Sequence, residues 1–398
     1  MSKATTKPRR RVRGEGSIYQ TAAGRWRGAI FVMDPTTGLR DRRVVSAPTF
    51  ELARDRLNDL KRDIADGVSA KGSAKTLNAY VTETWLPNIR LRVRPSTARS
   101  HQQHLDAYIV PALGALKLRA ITSTAVERLT SSITAKGRSG STARAVRTTL
   151  GEILHDAMRD RLLTTNAASL ARPPRVERRD LPTLSADQTH QLIEGTADDR
   201  LGPLFCLAAT TGLRQGELLG LSWSDVELDG TRPTLTVRRS LARAEGRNVY
   251  ELAEPKTAKS RRTIELGSTA ARALHRQKAR QAADKLAFGP DLWQDVDSLV
   301  FTDEVGRPLH PWAVTKTFAA ALKRLGLPHV RFHDLRHGAA SLMLSQGVPL
   351  KLVSEQLGHS SIAITSDVYA HLDRESKRAA ADALERAIGN GGGPGDRP

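Results

Sequence analysis

A single cysteine, Cys206, stands in a chain of 398 residues. No intrachain disulfide can form, and a zinc site built on several cysteines is excluded. Inside the apolar run PLFCLAATTG the thiol reads as a small core residue. Long hydrophobic runs are missing too: no stretch approaches the ~20 apolar residues needed to cross a bilayer. The basic opening MSKATTKPRRRVRG has no apolar segment behind it, so it is not expected to be a secretory signal. There is no Gly-rich loop of the Walker type, and no carboxylate cluster suited to a metal ion. Tyrosine is scarce, with five in the chain: Tyr19, Tyr80, Tyr108, Tyr250 and Tyr369. These absences lead us to expect a cytoplasmic protein, and the lack of a Walker loop and of a carboxylate cluster agrees with chemistry that needs no cofactor and no metal.

Positive charge is what the chain has in excess, at +20 net. Residues 1–72 hold 16 Lys and Arg against 8 Asp and Glu, residues 73–180 hold 18 against 8, and residues 181–398 hold 28 against 26. The excess is therefore loaded on the first 180 residues. A polyanion such as nucleic acid is the natural partner of such a surface. At about 150 residues per domain, the length predicts two or three domains.

Composition divides the chain. Residues 1–13 read as a disordered basic tail. GEGSIYQTAAGRWRGAIFVMDPTTGLRDRRVVSAPTF reads as short strands broken by turns, followed by the helix FELARDRLNDLKRDIADG. Thr49 is its expected cap, with Leu52, Leu57, Leu60 and Ile64 on one side. Trp26, between Arg25 and Arg27, is either a core anchor or a stacking residue. SAKGSAK is a linker by composition. Four helical stretches follow, several opening on a Ser or Thr cap, and the last carries Arg144, Arg147, Arg159 and Arg161. ARPPRVERRDLPTLS breaks the pattern and sets a boundary near Arg179. Beyond it, SADQTHQLIEG, LGPLFCLAATTG and RQGELLGLSW read as helices. TLTVRRSLAR, NVYELAE and SRRTIELG alternate like strands of one small antiparallel sheet. Helices continue to a low-complexity tail, GNGGGPGDRP.

Four patterns in this last segment bear chemistry. TTGLRQGELLGL puts Arg214 just after a glycine turn at a helix start. EPKTAKSRRTIEL puts Lys256 beside a proline between two strand-like runs. RFHDLRHGAASLMLSQG opens a helix with His333, Arg336 and His337 on one face. LGHSSIAITSDVYAHL holds His359 and Tyr369. Two imidazoles and a guanidinium repel when charged, so an anion should sit among them. Each pattern alone has a plainer reading as surface charge, solvated hairpin lysine or core tyrosine.

Their order is the stronger signal. Arg, Lys, His-x-x-Arg, His, Tyr resembles the signature of the tyrosine recombinase (phage integrase) family, in particular integrases of actinobacterial-type phages or integrative elements. TGLRQGEL, PKTAKSRRTIEL, HDLRHGAASLML and LGHSSIAITSDVYAH are similar to that family's motifs, and the likeness extends over nearly the whole chain. It implies a multidomain, mainly α fold with small antiparallel β-sheets. The parts would be an N-terminal sheet-plus-helix arm-type DNA-binding domain at 14–68, a helical core-type DNA-binding domain at 74–175 and a mixed α/β catalytic domain at 181–390, with a disordered tail at 391–398. The implied function is site-specific recombination of double-stranded DNA, integrating or excising a phage or mobile element. The implied assembly is a homotetramer on DNA, with C-terminal segments such as RESKRAAADALERAI exchanged between subunits and a directionality factor as a further partner.

The chemistry suits these residue types. Cleaving a phosphodiester with a side chain puts negative charge on the nonbridging oxygens, which two guanidinium groups can clamp. Arg214 and Arg336 are the candidates, with phosphate as the missing anion. His333 can contact the phosphate or handle the nucleophile's proton, and His359 can donate another hydrogen bond. Lys256 is the candidate general acid for the departing 5′ oxygen. Tyr369 is the candidate nucleophile, giving a 3′-phosphotyrosyl link; its free pKa of about 10 calls for surrounding positive charge. Glu217 is expected to brace Arg214. A zinc hydrolase using His333 and His337 is the weaker alternative, because the motif is H-D-L-R-H and Arg336 would sit beside a dication. A non-catalytic DNA-binding regulator on the same scaffold is the better rival, although it would have no use for a nucleophile. Supercoil relaxation is a conceivable side activity.

Overall fold

The computed structural model describes residues 16–33, 40–65, 75–176, 182–243, 250–254 and 261–358. The expected tails, the RESKRAAADALERAI helix, Lys256, His359 and Tyr369 lie outside the described residues. The chain divides into two compact units, 1–178 and 179–398. It is mainly helical with small antiparallel sheets. Among the described residues no helix is long and apolar enough to cross a membrane.

The first unit opens with an antiparallel meander of β1 (Ser17–Gln20), β2 (Trp26–Met33) and β3 (Arg40–Ala47). The helix Phe50–Ala65 follows, with the Thr49 hydroxyl accepting from the Leu52 N–H at 3.3 Å. Helix and sheet meet closely at Gly28, where a Cβ would lie 3.1 Å from that of Leu57. That approach turns Ala53 inward and leaves Leu52 40% exposed, against the expectation that Leu52 shares the buried side. Trp26 packs edge-on against Phe50 at 5.1 Å, so it serves the packing between sheet and helix. Register places Tyr19 opposite Arg27, Phe31 opposite Arg42 and Met33 opposite Arg40. With alternation along each strand, these side chains share one face.

The rest of this unit is helical. One rod runs through Leu77–Tyr80, Val81–Trp85 and Leu86–Arg92, and a second through Pro95–His104, Leu105–Ile109 and Val110–Leu113. The middle turn of each is a wide π turn. Ser123–Ala135 and Gly140–Arg159 complete the four, capped by the hydroxyls of Thr122 and Ser139. Their core holds Tyr80, Trp85, Leu105, Leu150 and Ile153. Two arginines of the last helix stay at home: Arg147 donates to the Ala171 carbonyl at 2.9 Å and Arg159 to Asp156 at 3.3 Å.

In the second unit the helix Gly202–Thr211 is buried almost all round, as its uninterrupted apolar sequence requires. The helices Ala186–Gly195, Ser268–Leu292 and Asp334–Ser345 pack around it. Phe205, Phe318 and Phe332 form an aromatic cluster in this core, at 5.4 to 6.2 Å. Cys206 is buried and burial pushes its thiol up to about 11, consistent with an inert core residue. Of RQGELLGLSW only Gln215–Leu219 is α-helical, and Trp223 opens a short 3-10 turn. The three alternating runs make two sheets and not one. Strands β4 (Val226–Glu227), β5 (Thr234–Val237) and β8 (Arg262–Glu265) form the first, and β6 (Ser240–Arg243) and β7 (Tyr250–Ala253) the second. The break falls at Arg238 and Arg239, both paired with buried Asp225.

Candidate active site

The helix Gly202–Thr211 stops at Gly212, which is left-handed at φ 66°. A Cβ there would lie 2.4 Å from Leu357 Cδ2, so the turn demands glycine on both counts. The next residues set up the site. Arg214 caps the Gln215–Leu219 helix, and buried Glu217 reaches back to it. Glu217 Oε2 accepts from the Arg214 backbone N–H at 3.0 Å, and Oε1 from Arg214 Nη1 at 2.7 Å.

The helix Asp334–Ser345 brings its opening cluster to the same place. Arg336, 3% exposed, donates from Nη1 to the Gly212 carbonyl at 2.8 Å and from Nη2 to the Leu357 carbonyl at 2.6 Å. His333 and His337 meet edge to face at 5.3 Å. Buried Asp334 accepts from the backbone and side chain of Arg331, fixing the start of the helix. From β8 comes Arg262, whose Nη2 donates to Glu217 Oε2 at 2.9 Å and whose Nε donates to the Gln356 carbonyl. Gly358, left-handed at φ 65°, ends the helix Leu350–Leu357, and its carbonyl accepts from Arg214 Nη2 at 3.0 Å.

Electrostatics follow from this packing. Burial, then the charge of Arg214, pushes Arg336 down to about 9, with Glu217 opposing, so Arg336 is still a cation at pH 7. Burial alone would raise the Glu217 carboxyl, but hydrogen bonds and charge from Arg262 and Arg214 together hold it below the usual range. Desolvation by its neighbours, then His337 and Arg336, lowers the His333 imidazole. Burial lowers His337 as well, against Asp334. At pH 7 the site is therefore three guanidinium groups, two neutral imidazoles and two carboxylates, Glu217 and Asp334, the second of them paired with Arg331. It retains positive charge at the open side, where Arg214 is 38% exposed.

Of the six candidates, Arg214, His333 and Arg336 are brought together, from positions up to 122 residues apart in sequence. Lys256 falls between β7 and β8, His359 directly follows Gly358, and Tyr369 comes ten residues later, all three outside the described residues. Two carboxylates already act on the opening cluster, Glu217 on Arg336 and Asp334 on the two imidazoles. Arg262 was missed by sequence reasoning. Its signal was available: strand alternation puts Arg262 on the buried side with Ile264, an unusual place for a charge without a partner. Among the described residues no three His, Cys, Asp or Glu side chains converge as metal ligands would. Among the described residues, two of the five N–H groups on each of Arg214 and Arg336 have partners.

Comparison with known proteins gives these residues a context. Residues 182–376 match the phage integrase family and residues 79–173 the phage integrase central domain. A tyrosine recombinase XerC-like protein of Caldanaerobacter subterraneus is 32% identical over 317 residues, covering 76% of this chain and 81% of the relative. An integrase of Streptomyces ambofaciens is 29% identical, covering 91% and 93%. The fold is similar to that of the Tn1549 transposon integrase in complex with transposon right end DNA, with a TM-score of 0.67 at 20% identity over 78% of this chain and 99% of the other. It is also similar to a lambda integrase tetramer bound to a Holliday junction, with a TM-score of 0.58 at 20% identity over 90% and 96%.

Proposed function

The chain belongs to the phage integrase family and is a tyrosine site-specific recombinase, breaking and rejoining DNA, and from that premise we propose how its own residues do so. The substrate is double-stranded DNA carrying a core site. Arg214 and Arg336 hold the nonbridging oxygens of the scissile phosphate, and His333 donates a further hydrogen bond. Tyr369 attacks phosphorus through its phenolate oxygen. The bond from phosphorus to the 5′ oxygen breaks as Lys256 delivers a proton to that oxygen, leaving a free 5′-hydroxyl and a 3′-phosphotyrosyl link. His359 hydrogen-bonds the same phosphate. The phosphodiester energy is kept in the protein–DNA bond, so the 5′-hydroxyl of a second strand can attack it and release Tyr369. No external energy source and no metal enters the balance. Glu217 positions Arg214 and does not react.

The remaining roles follow the charge. The helical segment 74–175 binds the core site. The face of the N-terminal sheet that carries Tyr19, Arg27, Phe31, Arg40 and Arg42 enters a major groove at arm sites. Four copies assemble on DNA, with a directionality factor deciding between integration and excision, and the enzyme works in the cytoplasm, where its substrate lies. The observation that carries the reading is the gathering of Arg214, His333 and Arg336 around one exposed cationic opening. The test is strand exchange between two core-site duplexes in excess chelator. Recombinant product should form at the untreated rate; loss that zinc or magnesium restores would contradict the mechanism.

A further inference from the structure

Three arginines from three separate elements donate to three consecutive carbonyls at the end of one helix. Arg262 of β8 takes Gln356, Arg336 of the Asp334–Ser345 helix takes Leu357, and Arg214 takes Gly358. The last carbonyls of a helix have no partner within it and carry its negative pole, so cations are well placed there. The arrangement is nevertheless unusual in its division of labour. Arg214 and Arg336 are the residues assigned above to the phosphate. Arg262 is not: it is nearly closed to solvent and bonds both oxygens of Glu217, at 2.9 and 3.3 Å. The site also leaves it little room to move, since a Cβ on Gly358 would come within 2.8 Å of Arg262 Nη1.

Resting on the proposed function above, we propose that Arg262 is a positioning residue for the nucleophile's segment: by bonding Glu217 and the Gln356 carbonyl at once, it fixes the chain end from which His359 and Tyr369 continue against the arginines that hold the phosphate. Glu217 is the shared reference point. It orients Arg214 on one side and Arg262 on the other, so the phosphate clamp and the backbone at 356–358 are referred to the same carboxylate. A flexible ammonium in place of the planar fork can neutralise Glu217, but it cannot reproduce the bidentate contact together with the carbonyl bond.

Arg262→Lys is the informative variant, because it keeps the buried charge that Arg262→Ala would delete. It should bind core-site DNA as the wild type does. Its covalent complex with nicked DNA should form about 10- to 100-fold more slowly, the range expected when a reacting group is misplaced by about an ångström. The discriminating arm replaces the protein's nucleophile. In a Tyr369→Phe background, hydrogen peroxide supplies an external nucleophile that needs no positioning by the chain, and Arg262→Lys should slow strand breakage there much less than it slows covalent complex formation, the remainder being what His359 contributes to the phosphate. A wild-type rate of covalent complex formation by Arg262→Lys would overturn the proposal. So would an equal loss with peroxide, which would place Arg262 in the phosphate clamp through Glu217. If Tyr369→Phe alone still formed the adduct, the nucleophile assignment itself would fall, and this proposal with it.

Discussion

Glu217→Gln tests the electrostatic design of the site in a way that stability alone can read. Glu217 is buried and holds two guanidinium groups, Arg214 at 2.7 Å and Arg262 at 2.9 Å, with Arg336 close enough to feel its charge. Removing the anion leaves like charges facing one another in a place with little water. Taking one partner from a buried ion pair costs about 3–5 kcal/mol. Glutamine keeps one acceptor oxygen, so the lower end applies. For a unit of this size about 3 kcal/mol corresponds to a fall in Tm of roughly 6–12 °C. The sign with pH is set by the depressed carboxyl: its contribution is complete above the ordinary carboxylate value of about 4.3 and is lost as the pH falls through the lower folded value. Thermal melts of both proteins at pH 7 and along a descending pH series should show a gap that narrows in acid. A fall of less than about 2 °C at pH 7 would refute the reasoning, as would a gap that widens in acid.

Three further outcomes follow. Lys256→Ala should cleave ordinary core DNA far more slowly, yet recover on DNA with a 5′-bridging phosphorothiolate, because a sulfur leaving group needs little protonation; equal defects on both substrates would assign Lys256 to phosphate binding. Deleting residues 1–72 should abolish arm-site footprints and leave weak, steeply salt-dependent binding at the core site; unchanged arm footprints would contradict the assignment. The lowered imidazoles of His333 and His337 favour the neutral form in the fold, so their contribution to stability is intact above about pH 6.5 and is lost as the pH falls towards their folded values. Bringing a phosphate among them reverses that preference, so core-site binding near pH 6 should take up protons, measurable by calorimetry in buffers of different ionisation heat; binding without proton uptake would show that the imidazoles do not face the phosphate.

How much of this was legible in the sequence depends on the range of the interaction. Helix starts at Thr49, Thr76, Thr122 and Ser139 were readable because a cap acts within three residues. Leu52 was misjudged because the helical stripe alone does not say how closely a sheet approaches, and Gly28 brings the two backbones together at Ala53. Strand alternation was visible, but its sorting into two sheets was not, since the break at Arg238 and Arg239 depends on buried Asp225. At the site, His333, Arg336 and His337 could be grouped by helical spacing. Their union with Arg214, more than a hundred residues earlier, came only through the resemblance of motif order. Glu217 was identifiable as a brace from its place three residues after Arg214. The helix end at Gln356–Gly358, where three arginines converge, leaves no local mark in the sequence.

The central claim is that Tyr369 carries the covalent chemistry. Of the other tyrosines, Tyr80 is buried and donates to Asp160 at 2.7 Å, with burial raising its hydroxyl well above the ordinary value. Tyr19 accepts from Arg42 at 3.1 Å, Tyr108 packs on the helical core and Tyr250 packs against His310 at 4.9 Å. The most direct measurement is to incubate wild type and Tyr369→Phe with a nicked core-site duplex, denature, and look for protein joined to the 3′ side of the cut. Wild type should trap and yield a single DNA-linked peptide containing Tyr369, while the variant should bind the same DNA without trapping. An adduct formed by the variant, or a wild-type peptide linked through any other residue, would contradict the account.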